Sequence, residues 1–188
     1  MGAPNVSAVS TGKPSVAGGI WFADAGTTPP SDAVTALGAD FVALGYVSED
    51  GVTNSNSPES DTGKAWGGDI VITYQTEKPD TFQFTLIGAK DTDVLEAVYG
   101  STNVSGALAT GITVTANATE AEDHVWVFEV VMRDNTFKRI VVPSGKVTEV
   151  GDIVYKDDEI VGYELTIQAF PDSSANTHYE YIIADPSA

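Results

Sequence analysis

Strict alternation of apolar and polar residues is the feature that most restricts how this chain can fold. Residues 81–86, 112–117 and 161–169 each place apolar side chains at every second position. Successive side chains of a strand point to opposite faces, so this period buries one face of a sheet and exposes the other. The pattern predicts a mainly β protein of antiparallel strands.

One segment has a helical period instead. Asp91 and Thr92 are N-cap candidates, and Gly100 is a stop signal. Between them the apolar residues are spaced i, i+1, i+4 and i+5, at Val94, Leu95, Val98 and Tyr99. The spacing predicts one short α-helix, at about 91–99, that flanks the sheet.

Two tight turns are indicated in the second half of the chain. Apolar segments at 124–133 and 137–142 flank Asp134 and Asn135, which predicts a hairpin with a two-residue turn. The acidic cluster at 157–159 lies between short apolar segments and predicts another hairpin tip. Calcium binding is an alternative interpretation of that cluster. The spaced ligand pattern of a calcium loop is missing, however, which favours a solvated turn.

Residues 48–64 form a long polar run between two apolar segments. Unstructured loops of this length are uncommon inside a compact domain, and those that exist are usually functional or disordered. The run therefore predicts a long inter-strand loop with a role of its own.

Charge and composition exclude several classes of function. The chain of 188 residues has 27 acidic and 9 basic residues, a formal net charge of −18, and no cysteine. Attraction to nucleic acid or to an anionic membrane is excluded by that charge, and disulfides and thiolate chemistry by the absence of cysteine. With 42% hydrophobic residues there is enough apolar material for a core. No secretory signal or membrane-spanning segment is recognisable, which predicts synthesis in the cytoplasm and no membrane insertion.

The sequence contains no motif for catalysis. His124 and His178 have no acid or nucleophile at motif spacing, and there is no phosphate loop, nucleophile elbow or paired-histidine helix. A glycosidase-like pair of carboxylates is possible among 27 acids, but nothing singles one out. We predict that the chain is not an enzyme and has no catalytic residue, cofactor or metal.

Several short segments, in their order, carry a resemblance to a known family. They are residues 44–52, 65–68, 82–87, 94–100, 131–134, 138–143, 147–152 and 163–166. Over about residues 20–183 the chain resembles the major tail proteins, or tail tube subunits, of long non-contractile-tailed bacteriophages, most closely those of actinobacterial hosts.

The resemblance implies one tail tube domain over 1–188, with a β-sandwich or partial barrel, a flanking helix and no C-terminal immunoglobulin-like domain. Six subunits would form a ring, and rings would stack into a tube whose lumen is acidic or non-sticky. An extended N-terminal arm at 1–20 and a stacking loop at 48–64 would become ordered only on stacking.

The resemblance also implies a set of partners and a location. A tape-measure protein would occupy the lumen during assembly, and tail tip or baseplate and tail terminator proteins would cap the ends. Double-stranded DNA would pass through without specific binding, because an acidic wall repels phosphate. The protein would be a component of the virion tail.

Three sets of site residues follow. The inter-ring or inter-subunit contact set comprises Ser48, Glu49, Asp50, Gly51, Val52, Thr53, Asn54, Asp61, Lys64 and Trp66. The lumen-facing set comprises Asp69, Thr73, Gln75, Glu77, Glu164, Thr166 and Gln168. Lys138 and Arg139 are the predicted donors of salt bridges between subunits.

Two other functions stay open at this point. One is a monomeric β-sandwich module that binds carbohydrate or a receptor through exposed aromatic side chains. The other is the tube protein of a contractile injection or type VI-like secretion system, which would share the architecture. Fold alone does not separate these functions.

Overall fold

The structure, a computed structural model, describes residues 8–15 and 18–185. Its strands are β1 (Gly12–Pro14), β2 (Ile20–Asp24), β3 (Val42–Ala43), β4 (Val47–Asn56), β5 (Glu59–Lys64), β6 (Ile70–Glu77), β7 (Asp80–Leu86), β8 (Val104–Ala107), β9 (Gly111–Val114), β10 (Asp123–Met132), β11 (Thr136–Val150), β12 (Tyr163–Ala169) and β13 (Tyr179–Ala184). The α-helix of the described residues is α1 (Thr92–Tyr99), and 3-10 turns lie at Ser101–Asn103 and Arg133–Asn135.

Nine of these strands form one antiparallel sheet. Its order is β3-β2-β10-β11-β12-β7-β4, with β1 also paired to β10 and β13 also paired to β11. The long strand β11 pairs with β13 through its first half and with β12 through its second half. The ends of this order, β3 and β4, stay open, so the described sheet does not close into a barrel. Two further hairpins, β5–β6 and β8–β9, stand apart from it.

The predicted alternation places the main core on one face of this sheet. Trp126 of β10 is fully buried there, and its indole N–H donates to the Gly145 carbonyl at 3.0 Å. In β7 and β12 every second side chain is buried, at Phe82, Phe84, Leu86, Tyr163, Leu165, Ile167 and Ala169. The helix covers this face with Val94 and Leu95. The result is the mainly β, sandwich-like antiparallel architecture that the sequence predicts.

The predicted helix at about 91–99 is confirmed as α1. The Asp91 side chain accepts a hydrogen bond from the Asp93 N–H, as an N-cap should. Gly100 ends the helix with φ of 90°, a conformation that side-chain-bearing residues rarely adopt, and its N–H donates to the Glu96 carbonyl.

Strand β10 is buried on both faces at residues 125–128, which explains the apolar run there. Val125 and Val127 point away from the main core and pack with Val141 under the segment that joins β2 to β3. That segment contributes Phe41 and Leu37 to a second, smaller core cluster.

The prediction of a long loop at 48–64 is wrong in its local structure. The chain is extended through β4 and β5 there, and only Ser57 and Pro58 separate the two strands. These residues are largely exposed, so they show no apolar alternation, and the periodicity that indicates a strand is missing.

Three smaller predictions also change. The β10–β11 connection is a three-residue 3-10 turn, Arg133–Asn135, instead of a two-residue turn. The cluster at 157–159 is an exposed turn whose flanks are not strands. In the predicted N-terminal arm at 1–20, β1 lies along β10 and Ile20 begins β2, while 1–7 and 16–17 lie outside the described residues.

Candidate assembly surface

A two-stranded hairpin projects from one end of the strand pair β4–β7. We call residues 59–77, which comprise β5, β6 and their turn, the arm. It continues the β4–β7 ladder, but Pro58 and Pro79 interrupt the two sides between the Asn56–Asp80 and Glu59–Glu77 pairs. Proline has no N–H to donate to a ladder, so the two prolines separate the arm from the sheet.

The arm exposes an unusual amount of apolar surface. All eight residues of β6 are exposed, and the Trp66 side chain at the tip is fully in solvent. The exposed large apolar side chains of the arm are Trp66, Ile70, Val71, Ile72 and Tyr74. An isolated two-stranded hairpin is at best marginally stable in water, and a contiguous apolar patch on a surface marks an interaction site. The arm is therefore a candidate interaction surface.

The two faces of β6 differ in chemistry. Ile72 lies opposite Gly63, and a Cβ at Gly63 would come within 2.6 Å of the Ile72 side chain, so glycine makes room for isoleucine on this face. Tyr74 lies on the same face by alternation, whereas Thr73 and Gln75 point to the other face. The face with Ile72 and Tyr74 is therefore the more apolar of the two, and the face with Thr73 and Gln75 the more polar.

The base of the arm is fixed by a buried carboxylate. Asp80 is 1% exposed and accepts hydrogen bonds from Asn54 Nδ2 at 2.9 Å, from the Thr177 hydroxyl and from His178 Nδ1 at 2.5 Å. The His178 ring also meets the Phe82 ring edge to face. These contacts connect β4 and β7, at the point where the arm leaves the sheet, to the segment that precedes β13.

Burial raises the pKa of Asp80, but the hydrogen bonds from Thr177, His178 and Asn54 lower it more, so its pKa lies below the ordinary value. A depressed pKa in the folded state stabilises the fold above the ordinary carboxyl pKa. That contribution is lost as the pH falls through the lowered pKa.

We expect Asp80→Asn to lower the free energy of unfolding at pH 7 by about 2 kcal/mol, because an amide cannot accept all three hydrogen bonds. Urea denaturation measures this difference, which should shrink as the pH falls from about 5 to about 2. The control Asp152→Asn, at an exposed residue, should change stability by less than about 0.5 kcal/mol. A difference that is the same at both ends of the pH range would contradict this role.

The structure divides the predicted contact set into two groups. Ser48, Glu49, Asp50, Gly51, Val52, Thr53 and Asn54 lie on β4, and Asp61, Lys64 and Trp66 lie on the arm. The β4 register is irregular between Val47 and Val52, where the strand bulges around Gly51 with φ of 72°. Asn54 belongs to the Asp80 cluster, which the sequence did not indicate, and its predicted contact with another subunit stays a prediction.

The predicted lumen set is also divided. Glu164, Thr166 and Gln168 lie on the polar face of β12, opposite the core, in register with Thr85, Gln83 and Thr81 of β7. Gln83 donates to the Glu164 carboxylate across this face. Asp69, Thr73, Gln75 and Glu77 lie on the arm.

Lys138 and Arg139 both find acidic partners within the chain. Arg139 is 4% exposed, pairs with Glu129 and donates to the carbonyls of Asp32 and Thr35 at 2.9 Å each. These hydrogen bonds attach the buried guanidinium of Arg139 to the β2–β3 segment of its own chain. The prediction of a salt bridge to another subunit is wrong for this residue. Lys138 pairs with Glu180 at 2.7 Å and is half-buried, and for it the intersubunit role stays a prediction.

The described residues assemble no cluster of metal ligands. No group of three or more His, Cys, Asp or Glu side chains among them is placed to hold a metal ion. The ring of His124 packs against Phe22 and Trp126, and its Nδ1 is 4.0 Å from an Asp24 carboxylate oxygen. His178 belongs to the Asp80 cluster. No helix in the described part of the chain is long and apolar enough to cross a membrane.

A family model described as phage tail tube protein matches residues 3–188. The chain belongs to this family. It is a structural component of the virion tail, and its family assembles into a multimeric tube with other tail proteins. The exposed arm of this tail tube protein is thus a surface that assembly can cover.

Two other comparisons complete this result. No curated protein sequence matches this tail tube protein. A solved structure that it resembles is the tube-terminating cap of the anti-feeding prophage, at 9% identity and a TM-score of 0.41, with 87% of this chain and 88% of that chain covered.

Proposed function

We propose that this protein is the repeating subunit of the tube of a long non-contractile phage tail, and that the arm joins one subunit to the next. The observation that carries this proposal is the arm itself, whose strand β6 is exposed over its whole length. Burying an apolar side chain stabilises a contact by about 1.5–3 kcal/mol, and the arm offers five such side chains.

In the proposed tube, six copies form a ring and rings stack around a tape-measure protein. The open sheet edges at β3 and β4 favour ring formation, because an unpaired edge is a template for pairing with another chain. Joining the edges of neighbouring copies removes them. Tail tip or baseplate and tail terminator proteins cap the tube, whose subunits are made in the host cytoplasm.

The polar face of β12 and β7, with Thr73, Gln75 and Glu77 of the arm, lines the lumen in this proposal. Glu164 lies on that face, and each copy has a formal net charge of −18. An acidic wall repels DNA phosphate, and an uncharged wall does not attract it, so the genome passes along the tube without binding to it. The same charge keeps free subunits apart until assembly begins.

Assembly in solution tests this proposal. The purified chain is concentrated, alone and with isolated tail tips as nuclei, and followed by sedimentation and negative-stain electron microscopy. Hollow tubes or stacked six-fold rings, without a sheath in the parent particle, are the expected result. Subunits that stay monomeric in the presence of tail tips would contradict the proposal.

A further inference from the structure

Exposed apolar side chains also gather at the end of the β4–β7 ladder that is remote from the arm. Leu108 is 67% and Ile160 is 72% exposed, and both line a shallow groove of about 620 Å³ together with Ile87 and Lys90. Tyr46 is 82% exposed and lies beside the groove, because its carbonyl accepts the Ile87 N–H at 3.1 Å. We call these five residues the end patch. A contiguous exposed apolar patch marks an interaction site.

The arm and the end patch lie at opposite ends of the same strands. Strand β7 begins with Asp80 at the base of the arm and ends with Leu86, directly before Ile87. Strand β4 begins directly after Tyr46 and ends with Asn56, at the base of the arm. The seven residues of β7 span about 20 Å at a rise of about 3.3 Å per residue. One copy therefore presents an apolar projection at one end and an apolar groove at the other.

Charge favours a fit between the two surfaces. Lys90 is exposed in the end patch and has no ion pair among the described residues, on a chain in which basic residues are scarce. Asp69, at the turn of the arm, is exposed and close in sequence to Trp66. A cation at the edge of an apolar groove attracts an acidic, aromatic tip.

We infer that the end patch of one copy receives the arm tip of the next copy, with Trp66 and Ile72 against Leu108 and Ile160 and with Asp69 toward Lys90. This inference rests on the proposed function and adds the receiving surface to it. The two surfaces differ and lie at opposite ends, so the contact is heterologous, and repeated contacts of this kind generate an open stack instead of a closed dimer.

Disulfide trapping tests the inference, since the chain has no cysteine of its own. Two exposed positions are changed in separate variants, Ala65→Cys at the arm tip and Ile160→Cys in the end patch. They carry tags of different length, so that the mixed dimer separates by size after mild oxidation at assembly concentrations. The control replaces Ile160→Cys by Ser31→Cys, at an exposed position on the segment over the opposite face of the sheet.

We expect at least tenfold more mixed dimer from the 65–160 pair than from the 65–31 pair. Equal yields from the two pairs, in samples where the wild-type chain forms tubes, would contradict the inference that the end patch binds the arm tip. The proposed function would not be affected by that result. A wild-type chain that forms no tubes with tail tips present would overturn the proposed function and the inference together.

A charge exchange gives a second measurement that needs no cysteine. Asp69→Lys and Lys90→Glu should each raise the concentration needed for assembly at least threefold, and the double variant should return it to near the wild-type value. Both residues are exposed, so circular dichroism should show an unchanged fold. Single variants that assemble as the wild type does, or a double variant that is worse than either single one, would contradict the pairing.

Discussion

Ile72→Asp is expected to abolish tube formation while the subunit itself stays folded. Ile72 is 58% exposed on the apolar face of the arm, so the isolated subunit loses little when it is replaced. In the tube the same position is buried in our account, and a carboxylate there would lose the apolar contact and be desolvated as well. We expect the critical concentration for assembly to rise by more than about 100-fold, which corresponds to about 3 kcal/mol per contact. Sedimentation of the assembled fraction against total concentration measures it.

The neighbouring residue provides a matched control for this variant. Thr73→Asp introduces the same side chain one position along β6, on the polar face that we assign to the lumen. Both substitutions place aspartate in the same exposed strand, so their effects on strand propensity are alike. Thr73→Asp should assemble within about threefold of the wild-type concentration. Equal impairment by the two variants would show that the apolar face of the arm is not the contact.

Arg139→Met is expected to give a large loss of subunit stability. The guanidinium is buried, its Nε donates to Glu129 at 3.0 Å, and its Nη1 donates to two carbonyls of the β2–β3 segment. Removal of the cation leaves the largely buried carboxylate of Glu129 without its partner. It also removes the hydrogen bonds that hold the β2–β3 segment. We expect the free energy of unfolding to fall by about 3–5 kcal/mol in chemical denaturation. Amide hydrogen exchange in residues 25–41 should accelerate more than in β7.

Lys138→Met is the matched control, because the two basic residues are adjacent in the same strand. The Lys138 pair with Glu180 is partly exposed, and ion pairs of this kind contribute at most about 1 kcal/mol. The double variant Arg139→Met with Glu129→Gln should recover part of the loss, since it removes the uncompensated charge. An Arg139→Met variant as stable as Lys138→Met would contradict the role of Arg139 in holding the β2–β3 segment.

The sequence predicts the half-buried elements best, because burial of one face requires apolar residues to recur at a regular spacing. In β7 and β12 each buried side chain alternates with an exposed one, and the short helix is bounded by Asp91 and Gly100. Strand β5 and most of β4 carry no such period, since their side chains are largely exposed in a single subunit. The polar run at 48–64 therefore resembles a loop, although β4 pairs with β7 and β5 pairs with β6. The turn residues Gly67 and Gly68, with φ of 122° and 100°, were the available signal for a hairpin.

Register decides which charged residues meet, and the sequence leaves it open at the β10–β11 turn. A two-residue turn at Asp134 and Asn135 would pair Glu129 with Ile140, whereas the three-residue turn pairs it with Arg139. A register shift of one residue moves a side chain to the other face of the sheet. The buried ion pair between Glu129 and Arg139 therefore cannot be predicted from the two-residue turn. The Asp80 cluster was missed because His178 lies 98 residues away. The sequence signal for this cluster is an acidic residue at an inward-facing position of β7, two residues before Phe82.

The most direct test of the central claim is electron microscopy of tails from the particle whose genome encodes this chain, with gold-labelled antibody raised against the folded subunit. We predict labelling along the whole length of the tail, in tubes whose repeating density holds the nine-stranded sheet with α1 on one face and the arm in contact with the next copy. Tails that are unlabelled, with a tube built from another chain, would contradict the claim.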